Sequence, residues 1–143
     1  MQRRSGFTLL EILVVVLIIT ILATIVGVNV AHEPGKARVA AARAQIDTFR
    51  TTLQLYRMDQ GRMPTPEQGL RALCEKPVIP PLPAKYPDGG YLESHVLPKD
   101  PWGRDYVYVI PGPNGQPYEV LSYGADGEPG GDGDAEDISS AAR

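Results

Sequence analysis

The sequence has few of the residues that disulfide bonding and catalysis require. It contains one cysteine, Cys74, and two histidines, His32 and His95, among 143 residues. A lone cysteine excludes an intramolecular disulfide, so a small buried side chain is the expected role of Cys74. No serine or cysteine motif accompanies the two histidines, and the sequence therefore predicts a protein without enzymatic activity.

Acidic and basic residues are unevenly distributed along the chain, although the formal net charge is only -3. Residues 124–142 carry six acidic side chains and no basic one, whereas residues 36–76 carry eight lysines or arginines against four acids. The basic residues are scattered along one segment and balanced by an acidic one. This distribution disfavours non-specific nucleic-acid binding.

Residues 7–31 form an apolar run whose only charged side chain is Glu11. As a helix, this run measures about 38 Å, which exceeds the hydrocarbon thickness of a bilayer, ~30 Å. Arg3 and Arg4 precede it and favour a cytoplasmic N-terminus, so residues after His32 are expected outside the membrane. A carboxylate in such a helix costs roughly 2.5 to 3.5 kcal/mol, which indicates that Glu11 has a partner.

A secretory signal peptide is the first alternative, because it also combines basic residues with an apolar core. The run is longer than such a core, and Glu11 lies at its start. No small-x-small cleavage site precedes the charged residues that begin at His32. A processing site before the run, after Gly6, fits the residues better.

The segment Gly6-Phe7-Thr8-Leu9-Leu10-Glu11, followed by an apolar helix, resembles the class III signal of type IV pilins and type II secretion pseudopilins. The resemblance implies that residues 1–6 are a leader, that a prepilin peptidase cleaves between Gly6 and Phe7, and that Phe7 becomes N-methylated. It also implies that Glu11 pairs with the Phe7 amine of a neighbouring subunit during assembly. The alternative is a carboxylate that merely lies at the headgroup level.

Beyond the apolar run, residues 36–60 are predicted to form an amphipathic helix. Its apolar side chains recur at spacings of three and four residues, at Val39, Ala42, Ile46, Phe49, Leu53 and Tyr56. The segment His32-Glu33-Pro34-Gly35 is expected to break or kink the chain before it. Thr65 and Gln68 then form a capping box for a short helix that points Leu70, Leu73 and Cys74 inward.

Strands are predicted late in the chain. Residues 106–110 and 118–122 are rich in β-branched and aromatic side chains, and the turn signal Pro113-Asn114-Gly115-Gln116 lies between them. They predict an antiparallel hairpin, joined by a short strand around Tyr91 or Val96. Trp102 is expected to pack a loop onto the domain.

Three further segments extend the resemblance to nearly the whole chain: residues 65–70, 98–103 and 122–127 are similar to the major pseudopilins of type II secretion systems. The resemblance implies an α+β, type IV pilin-like fold. In that fold a long N-terminal helix, half transmembrane and half amphipathic, packs on a small antiparallel β-sheet. The expected organisation is a leader at 1–6, a transmembrane and filament-core helix at 7–31, and a periplasmic domain at 32–143.

The acidic residues of segment 122–138 are interspersed with glycines, which suits a calcium loop, since calcium takes six to eight oxygen ligands from a flexible chain. The segment lacks the sixth-position glycine and the flanking helices of an EF-hand, and it has only one glycine-rich acidic unit instead of tandem repeats. A solvated acidic tail is the alternative. The resemblance implies structural calcium, with the expected ligands Tyr123 (carbonyl), Asp126, Asp134, Glu136 and Asp137.

The resemblance implies the major structural subunit of a pseudopilus, a periplasmic filament that drives folded proteins across the outer membrane. The expected partners are further copies of the chain, the prepilin peptidase, minor pseudopilins and an inner-membrane assembly platform. A type IV pilin for adhesion, motility or DNA uptake is the alternative, although such pilins usually carry a cysteine pair that this chain lacks. A minor pseudopilin at the filament tip is a third possibility, which Glu11 disfavours.

Overall fold

The structure is a computed structural model that describes residues 8–30 and 33–141, without the side chains of residues 24–33. The chain divides into two units, residues 1–34 and 35–143, which are described separately. The leader residues, Gly6 and Phe7 among them, lie outside the described residues.

The first unit contains helix α1, Leu9–Val30. Thr8 begins it, because the Glu11 amide donates to both the carbonyl and the hydroxyl oxygen of Thr8, at 3.1 and 3.2 Å. Its large apolar side chains from Leu9 to Leu22 are exposed, by 44% at Val14 and up to 84% at Leu9. By length and average hydropathy, none of the helices in the described part of the chain qualifies as a membrane span.

Helix α2, Glu33–Gln60, supplies one side of the core of the second unit. The predicted apolar stripe is confirmed, since Ala42, Ile46, Phe49, Leu53 and Tyr56 are at most 2% exposed. The prediction that α2 begins only after Gly35 was wrong. Proline is tolerated in the first turn of a helix, where its missing N–H would have no intrahelical acceptor, so Pro34 lies inside α2.

The capping box after α2 is confirmed, but it begins a turn and a 3₁₀ helix, Leu70–Leu73, rather than an α-helix. Thr65 N donates to Gln68 Oε1 at 3.1 Å, and Gln68 N donates to Thr65 Oγ1 at 3.3 Å. Leu70, Leu73 and Cys74 are buried as predicted, each at most 3% exposed.

The sheet has three antiparallel strands in the order β1-β2-β3. The predicted hairpin is present as β1, Val107–Val109, and β2, Glu119–Ser122. The strand predicted around Tyr91 or Val96 was wrong. The amides of Tyr91 and Leu92 both donate to the Leu73 carbonyl, at 2.7 and 3.0 Å, so this segment pairs with the 3₁₀ helix. The third strand is instead β3, Ile138–Ser139.

Aromatic contacts join α2 to Tyr106, which directly precedes β1, and to Tyr91 in the irregular segment before it. Phe49 and Tyr106 meet edge to face with ring centroids 5.1 Å apart, and Tyr56 lies 5.2 Å from Tyr91. Such pairs each contribute roughly 0.5 to 1.5 kcal/mol beyond the area they bury. Trp102 is half-buried and packs against the same core, as predicted.

The loop before β1 depends on one buried carboxylate, Asp100, which is 5% exposed. Its Oδ1 accepts from the backbone amides of Trp102 and Arg104, at 3.1 and 2.7 Å. Its Oδ2 accepts from the Ser122 hydroxyl at 2.7 Å. Asp100 therefore closes its own loop and ties that loop to the end of β2, where the acidic segment starts.

Replacing Asp100 with asparagine is expected to destabilise the second unit by about 1 to 3 kcal/mol, since the amide nitrogen cannot accept a hydrogen bond and leaves a buried donor unpaired. Urea unfolding of residues 35–143 measures the change. The control is Asp105→Asn, because Asp105 is exposed and only faces Lys99 across 3.8 Å. Equal stability of the two variants would show that the Asp100 bonds add nothing to the fold.

Burial, with a smaller effect of the nearby Asp100 charge, raises the pKa of Tyr106 to about 12. In an unfolded chain the pKa of tyrosine is about 10. Between these values the unfolded state binds fewer protons than the folded state, so stability is complete below pH ~10 and falls toward pH ~12. Unfolding free energies at successive pH values should therefore fall less steeply for Tyr106→Phe than for the wild type. Parallel curves would contradict this assignment.

Candidate functional site

Glu11 is the one acidic residue of the N-terminal motif that the structure describes. Its side chain is exposed in the first turn of α1. Among the described residues the ion pairs are Arg50–Asp47 and Lys99–Asp105, so Glu11 takes part in neither. Thr8, the residue that begins α1, was not predicted from the sequence, although Thr8-Leu9-Leu10-Glu11 has the spacing of a capping box.

Two turns of the acidic segment, which follows β2, contact each other. The Ala125 amide donates to the Asp134 carbonyl at 2.8 Å. Gly124 is buried with φ +59°, and a Cβ there would lie 2.8 Å from the Glu136 carbonyl oxygen. Only glycine allows this close approach, which brings the turn that begins at Tyr123 against residues 134–136.

Arg104 fixes the first of these turns, a role that was not predicted from the sequence. Its Nη1 donates to the carbonyls of Gly124 and Ala125, at 2.7 and 2.9 Å. A Cβ at Gly127 would lie 2.5 Å from Arg104 Nε. The contact spans about twenty residues of sequence and no local pattern signals it. Arg104 thus places a positive charge within the acidic segment and occupies two of its carbonyl oxygens.

The expected calcium ligands differ in their contacts and in their exposure to solvent. The Tyr123 carbonyl accepts from the Gly127 amide at 3.1 Å, and Asp126 Oδ1 accepts from the Glu128 amide at 3.1 Å. Glu136 is exposed. The Asp134 carboxylate packs on the start of α2, because a Cβ at Gly35 would lie 1.8 Å from its Oδ2.

Asp137 has the one feature of the segment that suits a cation directly. Its Oδ2 accepts from the Gly130 amide at 2.9 Å, whereas its Oδ1 is buried without a hydrogen-bond partner. A buried carboxylate oxygen without a donor is costly, and a hard cation would satisfy it. Across residues 8–30 and 33–141, no three acidic, histidine or cysteine side chains converge as they would around a metal ion.

Two protein-family models together match nearly the whole chain. A family model described as "Type II secretion system (T2SS), protein G" matches residues 29–141, and one described as "Prokaryotic N-terminal methylation motif" matches residues 1–27. The type II secretion system core protein G of Pseudomonas aeruginosa is 44% identical over 140 residues, 96% of this chain and 96% of that protein. The protein of the same name from Dickeya chrysanthemi is 45% identical over 133 residues, 93% of this chain and 85% of its own length.

A solved structure is also similar. The crystal structure of the major pseudopilin from the type 2 secretion system of enterohaemorrhagic Escherichia coli matches with a TM-score of 0.64 and 38% identity. The match covers 78% of this chain and 93% of the chain in that crystal structure. The predicted α+β, type IV pilin-like fold is confirmed by this likeness. With a family match over residues 29–141 and relatives of 44–45% identity, the chain belongs to the protein G family of type II secretion systems, the major pseudopilins.

Proposed function

We propose that this protein is the major structural subunit of a type II secretion pseudopilus, a periplasmic helical filament whose growth drives folded proteins across the outer membrane. The proposal rests on the exposure of α1. Its large apolar side chains from Leu9 to Leu22 are exposed, and those at positions 12–19 form an unbroken run that covers every face of the helix. A helix that is apolar all round requires a lipid or protein environment. Because the chain belongs to the protein G family, the type II secretion pseudopilus is the assembly expected to provide this environment.

Before assembly, the proposed environment is the inner membrane. The apolar run of residues 7–31 is long enough to span it, and Arg3 and Arg4 would hold the N-terminus in the cytoplasm. The second unit would then lie in the periplasm. After assembly, the same helix would form the filament core, where helices of other copies replace lipid around its side chains.

Processing would create the charge that Glu11 needs. The match of residues 1–27 to the N-terminal methylation motif supports cleavage between Gly6 and Phe7 by a prepilin peptidase, followed by methylation of Phe7. Cleavage leaves a positive amine on Phe7. In an apolar filament core, a carboxylate is tolerated when a hydrogen-bonded opposite charge neutralises it, so Glu11 of one copy would bind the Phe7 amine of its neighbour.

The other proposed partners follow from the same assembly. Minor pseudopilins would start the filament, and an inner-membrane platform would add subunits to it. The protein would contribute position and mechanical continuity rather than catalysis. The match to protein G over residues 29–141, together with the single cysteine, disfavours the alternative of a type IV pilin.

We further propose that the acidic segment binds a structural calcium ion. Asp137 would be its central ligand, because its Oδ1 is buried without a donor. The Tyr123 carbonyl, Asp126, Glu136 and an oxygen of Asp134 would complete the ligand set. The ion would neutralise the repulsion among the acids and so stabilise the folded segment.

The assembly role of Glu11 predicts that Glu11→Ala still inserts into the membrane and is processed, yet assembles poorly. Removing one member of a buried ion pair costs about 3 to 5 kcal/mol, a loss of at least about 100-fold in subunit association. Filament yield by shearing and immunoblotting, with mature N-termini checked by mass spectrometry, measures both steps.

Two matched variants separate charge pairing from helix capping at this end of α1. Glu11→Gln keeps the size of the side chain and should assemble as poorly as Glu11→Ala. Thr8→Val removes the capping hydroxyl and keeps the carboxylate, so it should assemble far better. Abundant filaments from Glu11→Gln would count against the ion pair.

The calcium proposal predicts that a chelator lowers the melting temperature of residues 35–143 by about 10 °C when calcium is initially present at 100 times its dissociation constant. Asp137→Ala and Asp126→Ala should melt at a lower temperature and lose most of the response to the chelator. The control Asp105→Ala removes an exposed acid outside the segment and should respond like the wild type. A wild-type domain that melts at one temperature with and without chelator would exclude a structural ion.

A further inference from the structure

A small cationic depression lies beside the second half of α2, between that helix and the turn that leads into β2. Its volume is about 190 Å³. We call it the arginine pocket, and its polar lining residues are Arg50, Gln54, Arg57, Gln116, Tyr118 and Ser140. No acidic residue lines it.

The chemistry of the arginine pocket suits a carboxylate. Arg50 and Arg57 are seven residues apart, about two helical turns or 10.5 Å, and therefore lie on one face of α2. Arg50 Nη1 is 3.0 Å from Asp47 Oδ1, whereas Arg57 is exposed and takes part in neither of the ion pairs among the described residues. Guanidinium groups bind planar carboxylates through paired N–H donors, and nearby amides and hydroxyls add further donors.

The larger groove next to the arginine pocket is lined by more acidic than basic residues. It measures about 490 Å³ and is lined by Arg43 and Arg50 but also by three acids, Asp47, Glu136 and Asp137. An anion entering it would meet more negative than positive charge. The arginine pocket is thus the part of this surface that favours an anionic partner.

The chain itself carries a matching anionic projection. Every residue from Glu128 to Asp134 is exposed, and residues 129–131 between Glu128 and Asp132 are Pro-Gly-Gly. We call residues 128–132 the acidic tip. Neither Glu128 nor Asp132 is among the proposed calcium ligands, so both carboxylates stay available when the ion is bound.

We propose that the arginine pocket of one copy binds a carboxylate of the acidic tip of a second copy. This inference rests on the proposed function, since a filament of identical subunits needs head-to-tail contacts between two different surfaces of the same chain. The arginine pocket and the acidic tip are two such surfaces with complementary charge. Arginine anchored in a pocket is also a common centre of binding energy at interfaces.

Cysteine cross-linking between two tagged copies tests the contact in cells that carry the secretion machinery. One copy carries Arg57→Cys, and the other carries Glu128→Cys or Asp132→Cys. Cross-linked pairs that contain both tags are expected to exceed by about tenfold those formed when Arg38→Cys replaces Arg57→Cys. Arg38 is an exposed arginine on the same helix that does not line the arginine pocket. Equal yields from the two positions would overturn the proposal.

A charge-reversal experiment provides a second test of the contact. Arg57→Glu should reduce filament yield by about tenfold, because it places like charges at the contact. Combining Arg57→Glu with Glu128→Lys and Asp132→Lys should restore the yield, whereas Arg38→Glu should leave it unchanged. Melting temperatures of the variants show whether each one folds.

The outcomes separate this inference from the proposed function. Normal filaments from Arg57→Glu would overturn the docking contact and leave the filament role intact. Citrate binding to the wild-type chain and to Arg57→Glu, measured by calorimetry, adds a further readout. If Arg57→Glu forms normal filaments but no longer binds citrate that the wild type binds, the docking contact is overturned and the arginine pocket is assigned to a free anion. A wild-type chain that makes no filaments with its machinery present would overturn the proposed function and the docking contact together.

Discussion

An apolar helix that exposes its side chains on every face sets the main constraint on this molecule. From Leu9 to Leu22 these side chains are 44–84% exposed. Burying one large apolar side chain stabilises a structure by roughly 1.5 to 3 kcal/mol, so a dozen of them strongly favour any environment that covers them. A bilayer and a bundle of identical helices both meet that need. The passage from one to the other is the physical basis of the proposed assembly.

The second unit meets a different requirement, which is to keep a water-exposed surface in a fixed shape. α2 provides a buried stripe, and the short strands pack on it. Asp100 then links the loop before β1 to the end of β2, and Arg104 holds the turn that follows. The acidic segment is therefore anchored at its start by bonds that need no metal. The proposed ion would act on its later part, around Asp137, where a buried oxygen lacks a donor.

Features with a local pattern were predictable from the sequence, and features made by distant residues were not. The apolar stripe of α2 and the turn at residues 113–116 each depend on residues that are close together in the sequence, and both are present in the structure. Strand β3, Ile138–Ser139, is too short to leave a periodic signal, and its pairing depends on β2. The Asp100–Ser122 bond and the Arg104 contacts join residues about twenty positions apart. The start of α2 was misplaced because proline stops a helix interior but not a first turn.

The most direct test identifies, by photo-cross-linking, the molecules that contact α1 before and after assembly. A photoreactive amino acid in place of Ile18, which is 50% exposed, can be activated in cells with and without the secretion machinery. Without the machinery, we expect cross-links to lipid. With the machinery, we expect cross-links to the same helix of another copy. Cross-links to the second unit of the same chain under both conditions would contradict the account, because α1 would then need neither a membrane nor a filament.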